Sequence, residues 1–343
     1  MIKYIQEKKI DYDAFKDILS NTEKTNQFTN LGPAKRSLEL ELEKRLNIES
    51  DKAVVCVSNG TLALHAIYLY INKKNPNAKI VTPSFTFPSC IVGGFNCDVV
   101  DIDETYSMEL SKDNLEKYDV FVITNLFGTY PSNILEWVDA CKKNKKTLIF
   151  DNAGSPLTNI NGINFCNLGD FAFGSLHHTK YMGFGEGGFL VCKKDLYLEF
   201  NRICGFGFEI KNGERIFNKN SSNYKMSDVA AASILQHINS YDLDRHLDLQ
   251  NFFLSQLSSV TDAKIFNYKP GVFFGNIPVV FNKHIEKSFF VERGIEAQKY
   301  YKPLNKSKKS VDLYSKIINF PLNTSLKEKD IVKIIKEIKN ATL

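Results

Sequence analysis

The chain has 343 residues, 43% of them hydrophobic, and its 44 Lys and Arg residues against 39 Asp and Glu residues give a formal net charge of +5. A chain of this length can bury one large core and a smaller second one. Basic and acidic residues are mixed along the chain, so no basic stripe indicates a nucleic-acid partner. No apolar run approaches the roughly 18 residues of a membrane span, so no membrane anchor is expected.

The cysteines bear on location and on metal binding. There are seven, with neither a CxxC spacing nor a Cys/His cluster, and no secretory signal is recognisable. An odd number of scattered cysteines favours reduced thiols, a cytoplasmic location and no metal site.

Short runs of β-branched and aromatic residues predict buried strands, and helix-length segments such as 61–72 and 134–144 lie between several of them. This alternation predicts an α/β fold with a mostly parallel central sheet and helices on both faces. The predicted strands are 53–57, 80–82, 98–102, 120–124, 147–150, 171–174 and 189–192.

The last third of the chain predicts a smaller C-terminal α+β domain. After a helix near 226–240, the segment 243–260 has the apolar spacing of a long helix. Extended segments are predicted at 272–274 and 277–281, and a closing amphipathic helix has its isoleucines on one face. We therefore expect a large domain at 1–240 and a small domain at 241–343.

The segment 169–188 places one lysine, Lys180, between a predicted strand and a glycine-rich loop. A lysine that performs covalent chemistry must be deprotonated, so burial or a nearby positive charge must lower its pKa from about 10.4. Apolar residues precede Lys180 and two histidines stand beside it. A solvated surface lysine is the alternative, and this neighbourhood alone does not decide between the two.

Three other features fall at predicted strand ends, where ligands bind in open α/β sheets. Ser58-Asn-Gly-Thr61 is a tight turn that opens a helix, and it is either a structural turn or a phosphate site. Asp151 ends an apolar strand, either as a helix cap or as the partner of a cationic ring nitrogen. Phe87 either joins the core or stacks on a planar ring.

Taken together, these features match the requirements of pyridoxal 5'-phosphate (PLP). That cofactor needs an anion site, a surface against its ring, an acid at its pyridine nitrogen and a Schiff-base amine.

The chain also resembles the DegT/DnrJ/EryC1/StrS family of nucleotide-sugar aminotransferases, which have the type I PLP-dependent aminotransferase fold. The likeness extends over nearly the whole length and follows one order of motifs. The matching segments are Thr29-Asn-Leu-Gly-Pro33, Ser58-Asn-Gly-Thr-Leu-Ala-Leu-His65, Thr82-Pro-Ser-Phe-Thr-Phe87, Val99-Val-Asp-Ile-Asp103, Asn125-Leu-Phe-Gly128, Asp151-Asn-Ala153, Ser175-Leu-His-His-Thr-Lys180, Gly185-Glu-Gly-Gly188 and Asn223-Tyr-Lys-Met-Ser-Asp228.

The resemblance implies a role for each matching residue. Lys180 would form the Schiff base and shuttle the proton, and Asp151 would hold the pyridine nitrogen protonated. Asn223 would reach the phosphate from a neighbouring subunit, which implies a homodimer with shared active sites. The expected cofactor-binding residues are Asn59, Gly60, Thr61, Phe87, Asp151, Ser175, Lys180 and Asn223.

Three positions depart from the family pattern. Gly154 stands where His or Gln is usual, so Asn152 or Ser155 is a candidate to supply that contact. Lys225 stands where arginine is usual, and a lysine cannot offer a bidentate fork to a phosphate or carboxylate. His178 replaces a common proline, as surface packing or as a substrate contact. Lys225 and His178 are thus the candidate substrate-binding residues.

The implied function is transamination of a nucleotide-linked keto-sugar with L-glutamate as the amino donor, the cofactor alternating between PLP and pyridoxamine phosphate (PMP). Members of the resembled family with Gly-Glu-Gly-Gly after the lysine more often aminate sugar C4, and this chain has that sequence at 185–188. The resemblance therefore implies amination at C4 of an NDP-4-keto-6-deoxyhexose, in deoxyamino-sugar and surface-polysaccharide biosynthesis such as that of O-antigen. A sugar 3-dehydratase is the nearest alternative, although such members carry histidine in place of the lysine. A catalytically silent regulator on the same scaffold is another.

Overall fold

The computed structural model describes the backbone of residues 1–343 and every side chain except that of Glu209. The helices are α1 (Tyr12–Thr25), α2 (Pro33–Arg45), α3 (Gly60–Lys74), α4 (Lys112–Lys117), α5 (Ile134–Lys143), α6 (Tyr197–Cys204), α7 (Asp228–Ser240), α8 (Leu243–Leu257), α9 (Ser288–Val291), α10 (Lys308–Lys316) and α11 (Glu328–Thr342). The strands are β1 (Lys52–Val57), β2 (Ile80–Pro83), β3 (Cys97–Val100), β4 (Val120–Thr124), β5 (Thr147–Asp151), β6 (Asn159–Ile160), β7 (Ile163–Asn164), β8 (Phe171–Ser175), β9 (Gly188–Lys193), β10 (Phe208–Lys211), β11 (Glu214–Phe217), β12 (Ala263–Ile265), β13 (Ile277–Phe281) and β14 (Ile317–Phe320).

A seven-stranded sheet in the order β1-β9-β8-β5-β4-β2-β3 forms the centre of the chain. Adjacent strands from β8 to β3 in this order pair in parallel. Only β9 runs antiparallel to both strands beside it, β1 and β8. Each predicted strand of the first 200 residues lies in this sheet, so the predicted α/β fold with a mostly parallel sheet is confirmed. Because β1, β4, β5 and β8 point the same way, their carboxyl ends meet at one edge.

Both faces of the sheet are covered, which explains why its strands are continuously apolar. Along β1, Val54 and Cys56 belong to one buried cluster, which also holds residues of α2, α5 and α7. Val55 and Val57 belong to a second cluster on the opposite face, built with α3 and α6. Successive side chains of a strand alternate in direction, so a solvent-facing side would have required alternate polar residues.

A three-stranded antiparallel sheet, β12-β13-β14, organises the last third of the chain, with α11 packed on α8. The predicted extended segment 272–274 is buried but forms no strand. Its amides bond to side chains instead: the Phe273 amide donates to Thr158 Oγ1 at 3.1 Å and the Phe274 amide to Gln250 Oε1 at 2.8 Å. The domain division at residue 240 stays a prediction.

Residues 1–10 are here called the N-terminal arm, and the first of them contact residues 295 and 296. Ile2 pairs in parallel with Ile295, and the Tyr4 amide donates to the Glu296 carboxylate at 3.0 Å. None of the described helices is both long and apolar enough to cross a bilayer.

Candidate active site

A cavity of about 560 Å³ opens at the edge of the sheet where β1, β4, β5 and β8 end. Seven of the predicted site residues line it. They are Asn59, Gly60, Thr61, Phe87, Asp151, Ser175 and Lys180, and the other lining residues are Leu62, Ser89, Thr124, Ala153, Gly154, Phe173, His177, Thr179, Glu186 and Tyr301.

Lys180 lies in the loop between β8 and β9 and forms part of the cavity wall. Its side chain is partly buried, and its amide donates to the His177 carbonyl at 2.8 Å. Burial lowers the pKa of Lys180, while the charge of Asp151 opposes that shift. A lowered pKa raises the fraction of neutral amine, which is the form that can act as a nucleophile or accept a proton.

Asp151 is the last residue of β5 and is only 1% exposed. Burial raises the pKa of its carboxyl to about 6, against the opposing effects of the Ala153 amide, Lys180 and Thr124. The Ala153 amide donates to Asp151 Oδ1 at 2.9 Å. A buried carboxylate is costly unless a cation or enough hydrogen bonds compensate it, so a cationic ligand at this wall would be stabilised strongly.

The N-terminus of α3 forms a third part of the wall. Asn59 caps the helix by accepting the Leu62 amide at 3.0 Å, and Gly60 and Thr61 begin the first turn. The N–H groups of a first helical turn point outward and carry the positive end of the helix dipole, which favours an anion. The backbones approach closely here: a Cβ on Gly60 would lie 3.2 Å from the Gly174 carbonyl oxygen and 3.3 Å from Ser175 Cβ.

Phe87 and Tyr301 add aromatic surface to the cavity. Phe87 is 52% exposed although it follows a buried strand, and its ring meets that of Tyr301 edge to face with centroids 6.4 Å apart. Tyr301 in turn stacks on Phe127 at a centroid distance of 5.2 Å. The sequence offered no signal for Tyr301, because it lies about 120 residues beyond Lys180 in an unremarkable Tyr-Tyr pair.

Gly154 lies at the cavity wall, and the structure directs its two proposed substitutes elsewhere. The Asn152 side chain is buried, accepts from Asn125 Nδ2 and approaches Cys166. Ser155 Oγ lies 3.0 Å from the hydroxyl of Tyr181. Neither residue lines the cavity, whereas Tyr301 does.

Three predicted residues lie away from this cavity. The His178 ring packs edge to face on Phe184 with centroids 5.7 Å apart. Lys225 Nζ lies 4.5 Å from the centroid of the Phe206 ring and donates to Asn223 Oδ1 at 2.6 Å. Asn223 is exposed on the surface of the chain.

The donor set fits pyridoxal 5'-phosphate. The cavity combines a buried carboxylate with a raised pKa, a lysine with a lowered pKa, a helix N-terminus and an exposed aromatic ring. These groups match, in order, the ring nitrogen, the aldehyde carbon, the phosphate and the flat ring of that cofactor. No cluster of three or more His, Cys, Asp or Glu among the described side chains is arranged to hold a metal ion.

Fold and site together define a PLP-dependent aminotransferase with the type I fold. The chain belongs to the DegT/DnrJ/EryC1/StrS aminotransferase family, whose model matches residues 9–262.

Solved structures of low sequence identity share this fold. A PLP-dependent aminotransferase from Bacillus cereus is 20% identical, with a TM-score of 0.84 over 98% of this chain and 99% of that one. DesI, solved with its TDP-sugar product, is 19% identical, with a TM-score of 0.81 over 99% of this chain and 93% of its own. PseC of Helicobacter pylori, an aminotransferase of pseudoaminic acid biosynthesis, is 16% identical, with a TM-score of 0.83 over 99% of both chains.

Proposed function

We propose that this enzyme transfers an amino group from L-glutamate to a keto-sugar carried on a nucleoside diphosphate. The observation that carries the proposal is the pairing of Lys180 and Asp151 across one cavity, each with its pKa shifted by burial. PLP, when bound, supplies the electron sink that lets an amino nitrogen leave one carbon skeleton and be kept for the next.

The residues of the cavity divide the work of holding the cofactor. Gly60, Thr61 and Ser175 would bind the phosphate, with Asn59 fixing the helix end at which they stand. Phe87 would cover one side of the ring. Asp151 would keep the ring nitrogen protonated, since a neighbouring cation stabilises the ionised form of a buried carboxylate.

Lys180 Nζ would move the proton. In its neutral form it accepts a proton from the α-carbon of the amino donor, and in its charged form it returns a proton to the carbon of the acceptor sugar. Burial favours the neutral form of Lys180, and Asp151 favours the charged form, so the residue is suited both to accept and to return a proton.

A second, smaller cavity offers a place for the sugar. It measures about 190 Å³ and shares Phe87, Gly154, Thr179, Lys180 and Tyr301 with the larger one. Amide and hydroxyl groups supply most of its other polar side chains, and such groups pair with sugar hydroxyls as both donors and acceptors. Those side chains are Tyr4, Gln6, Tyr181, Tyr241, Asn276, Gln298, Tyr300 and Asn323.

We assign the acceptor to the NDP-4-keto-6-deoxyhexoses, with amination at C4. The Gly185-Glu-Gly-Gly188 sequence supports that position, and the TDP-sugar product of DesI supports a nucleotide-linked acceptor. Such a reaction would take place in the cytoplasm. It would serve the biosynthesis of deoxyamino sugars and of surface polysaccharides such as O-antigen.

We further propose that the working unit is a homodimer. Asn223 is exposed, lies outside its own cavity and pairs with Gly205, three residues before the hairpin β10–β11 begins. That hairpin presents apolar side chains to solvent, including Ile210 at 80% and Phe217 at 67% exposure, and exposed apolar clusters mark interaction surfaces. Docking on a second copy would cover the hairpin and bring Asn223 and Lys225 to the partner's cavity.

Incubation of the purified enzyme with PLP, L-glutamate and a dTDP-4-keto-6-deoxyhexose tests the proposed function. We expect one 2-oxoglutarate for each sugar amine, with no sugar hydroxyl lost. Loss of the C3 hydroxyl would identify a 3-dehydratase. A protein that stays colourless when PLP is added would identify a silent relative. Turnover of the 3-keto isomer in place of the 4-keto sugar would overturn the assigned position.

A further inference from the structure

Lys8 of the N-terminal arm binds the loop that carries the proposed catalytic lysine. Its Nζ donates to the carbonyl oxygens of His178 at 2.9 Å and of Lys180 at 2.6 Å, and also to that of Gly183. These partners lie 170 to 175 residues further along the chain. The Lys8 ammonium group therefore binds three backbone carbonyls that lie far from it in the sequence.

The loop brings those three carbonyls together by its own turns. The Gly183 amide donates to the Lys180 carbonyl at 2.9 Å, and the His178 amide donates to the Gly185 carbonyl at 2.7 Å. A Cβ on Gly183 would lie inside van der Waals contact with the His177 carbonyl oxygen, so the turn leaves no room for a side chain there. Carbonyls gathered in this way repel one another unless a donor compensates them.

The arm is anchored at its other end to the C-terminal part of the chain. Lys3 Nζ lies 2.7 Å from Glu296 Oε1, and Thr324 Oγ1 donates to Gln6 Oε1 at 2.9 Å. Lys8 is thus held by a segment that is itself fixed to the C-terminal part of the chain. It also lines the smaller cavity next to Lys180.

We propose that Lys8 is a positioning residue for Lys180: its three hydrogen bonds fix the backbone of residues 178–183, and with it the direction in which Lys180 Nζ enters the cavity. This inference rests on the proposed role of Lys180. It assigns the N-terminal arm a function in the active site.

Lys8 reaches Lys180 through the backbone carbonyls of its loop. Burial lowers the pKa of Lys8 itself to about 8, as expected for an ammonium group taken largely out of water. An arginine, which also presents several N–H donors, should therefore replace Lys8 in part, whereas methionine should not.

The test compares Lys8→Met and Lys8→Arg with wild type and with Lys9→Met. Lys9 is the matched control, because it stands next on the same arm but its side chain is 83% exposed and pairs only with the equally exposed Glu7 at 3.6 Å. Two quantities are measured on each protein: the Kd for PLP by fluorescence, and the pH dependence of the absorption that marks attachment of the cofactor to Lys180.

For Lys8→Met we expect the Kd for PLP to rise at least about tenfold, which corresponds to the free energy of one charge-assisted hydrogen bond. We also expect an altered pH profile for attachment of the cofactor to Lys180. Lys8→Arg should recover most of both, and Lys9→Met should match wild type. A folded Lys8→Met protein with wild-type Kd and pH profile would overturn the inference. If Lys8→Met does not fold, Lys8→Gln replaces it. Gln is one atom shorter and has two N–H donors for the three carbonyls, so a smaller rise in the Kd for PLP is expected, and a wild-type Kd and pH profile would overturn the inference.

Lys180→Ala separates this inference from the proposed function. If wild type shows the attached-cofactor absorption and Lys180→Ala lacks it, the role of Lys180 stands whatever the Lys8 variants do. If Lys180→Ala keeps that absorption, the proposed function itself fails.

Discussion

Asp151, at the end of β5, and Lys180, in the loop that follows the neighbouring strand β8, face one cavity. Burial shifts both pKa values so that the neutral forms are favoured. Each charge opposes the shift of the other, but burial is the larger effect on both. A cation at Asp151 and a covalent partner at Lys180 would relieve both costs.

Lys180→Ala should lower transamination by at least about 10³-fold, because it removes both the nucleophile and the group that moves the proton. The fold should be kept, since Lys180 is only partly buried and contributes little packing. Coupled detection of 2-oxoglutarate measures the rate, and circular dichroism measures the fold. Turnover within tenfold of wild type would remove Lys180 from the mechanism.

Asp151→Asn should lower kcat by about 10²-fold to 10³-fold, since a neutral amide no longer stabilises a protonated ring nitrogen. The Kd for PLP should rise by less, because the phosphate and ring contacts remain. Asp17→Asn, an exposed carboxylate on α1, is the control. Equal losses in kcat and in PLP affinity would mean that Asp151 only binds the cofactor.

The cofactor-free protein should become more stable at pH 7 when Asp151 is replaced by asparagine. The folded-state pKa of Asp151, about 6, lies above its ordinary value of 3.8, so the native state binds the proton more tightly than the unfolded state. Stability is therefore lost as pH rises from about 4 through 6, by up to about 2–3 kcal/mol.

Urea unfolding at several pH values measures this difference. Asp151→Asn should gain most above pH 6, and the gain should vanish near pH 4. Saturation with PLP should make wild type more stable to urea than Asp151→Asn. A constant difference across the pH range would show that Asp151 is ionised in the cofactor-free protein without a burial cost.

A mixture of Lys180→Ala and Asn223→Ala chains should recover activity that neither variant has alone. In a heterodimer with shared sites, one site carries both defects and the other carries neither. About half of the mixed dimers' sites should then be of wild type, which titration of the active sites against mixing ratio measures. No recovery, in a mixture shown by mass to contain heterodimers, would place Asn223 in its own chain's site or outside any site.

Gly183→Ala should weaken PLP binding, because a Cβ there collides with the His177 backbone and must displace the Lys180 loop. We expect at least a tenfold rise in Kd, roughly the effect of losing one of the loop's charge-assisted contacts. Gly162→Ala is the control: its left-handed φ of +81° costs about 1 kcal/mol of strain, but nothing lies within 4 Å of its Cβ. An equal effect of the two substitutions would mean that the Lys180 loop tolerates movement.

The sequence predicted the central sheet well because its strands carry their own signal. A strand buried on both faces is a short continuous apolar run, and 120–124 coincides with β4 residue for residue. The same signal failed at 272–274, which is equally apolar and buried. There the amides of Phe273 and Phe274 bond to the side chains of Thr158 and Gln250, a choice that depends on residues far away in the chain.

The sequence by itself determined the class of fold and the family, and it singled out Lys180 as the candidate lysine, because these follow from local patterns and from short motifs in a fixed order. Only the tertiary structure decided which residues share the cavity. It brought Tyr301 and the Lys8 contact to the Lys180 loop, turned Asn152 and Ser155 away from the wall, and left Asn223 outside. The contacts of Lys8 and Tyr301 join segments more than 100 residues apart, so packing and hydrogen bonding between distant elements fix them, and no local pattern records them.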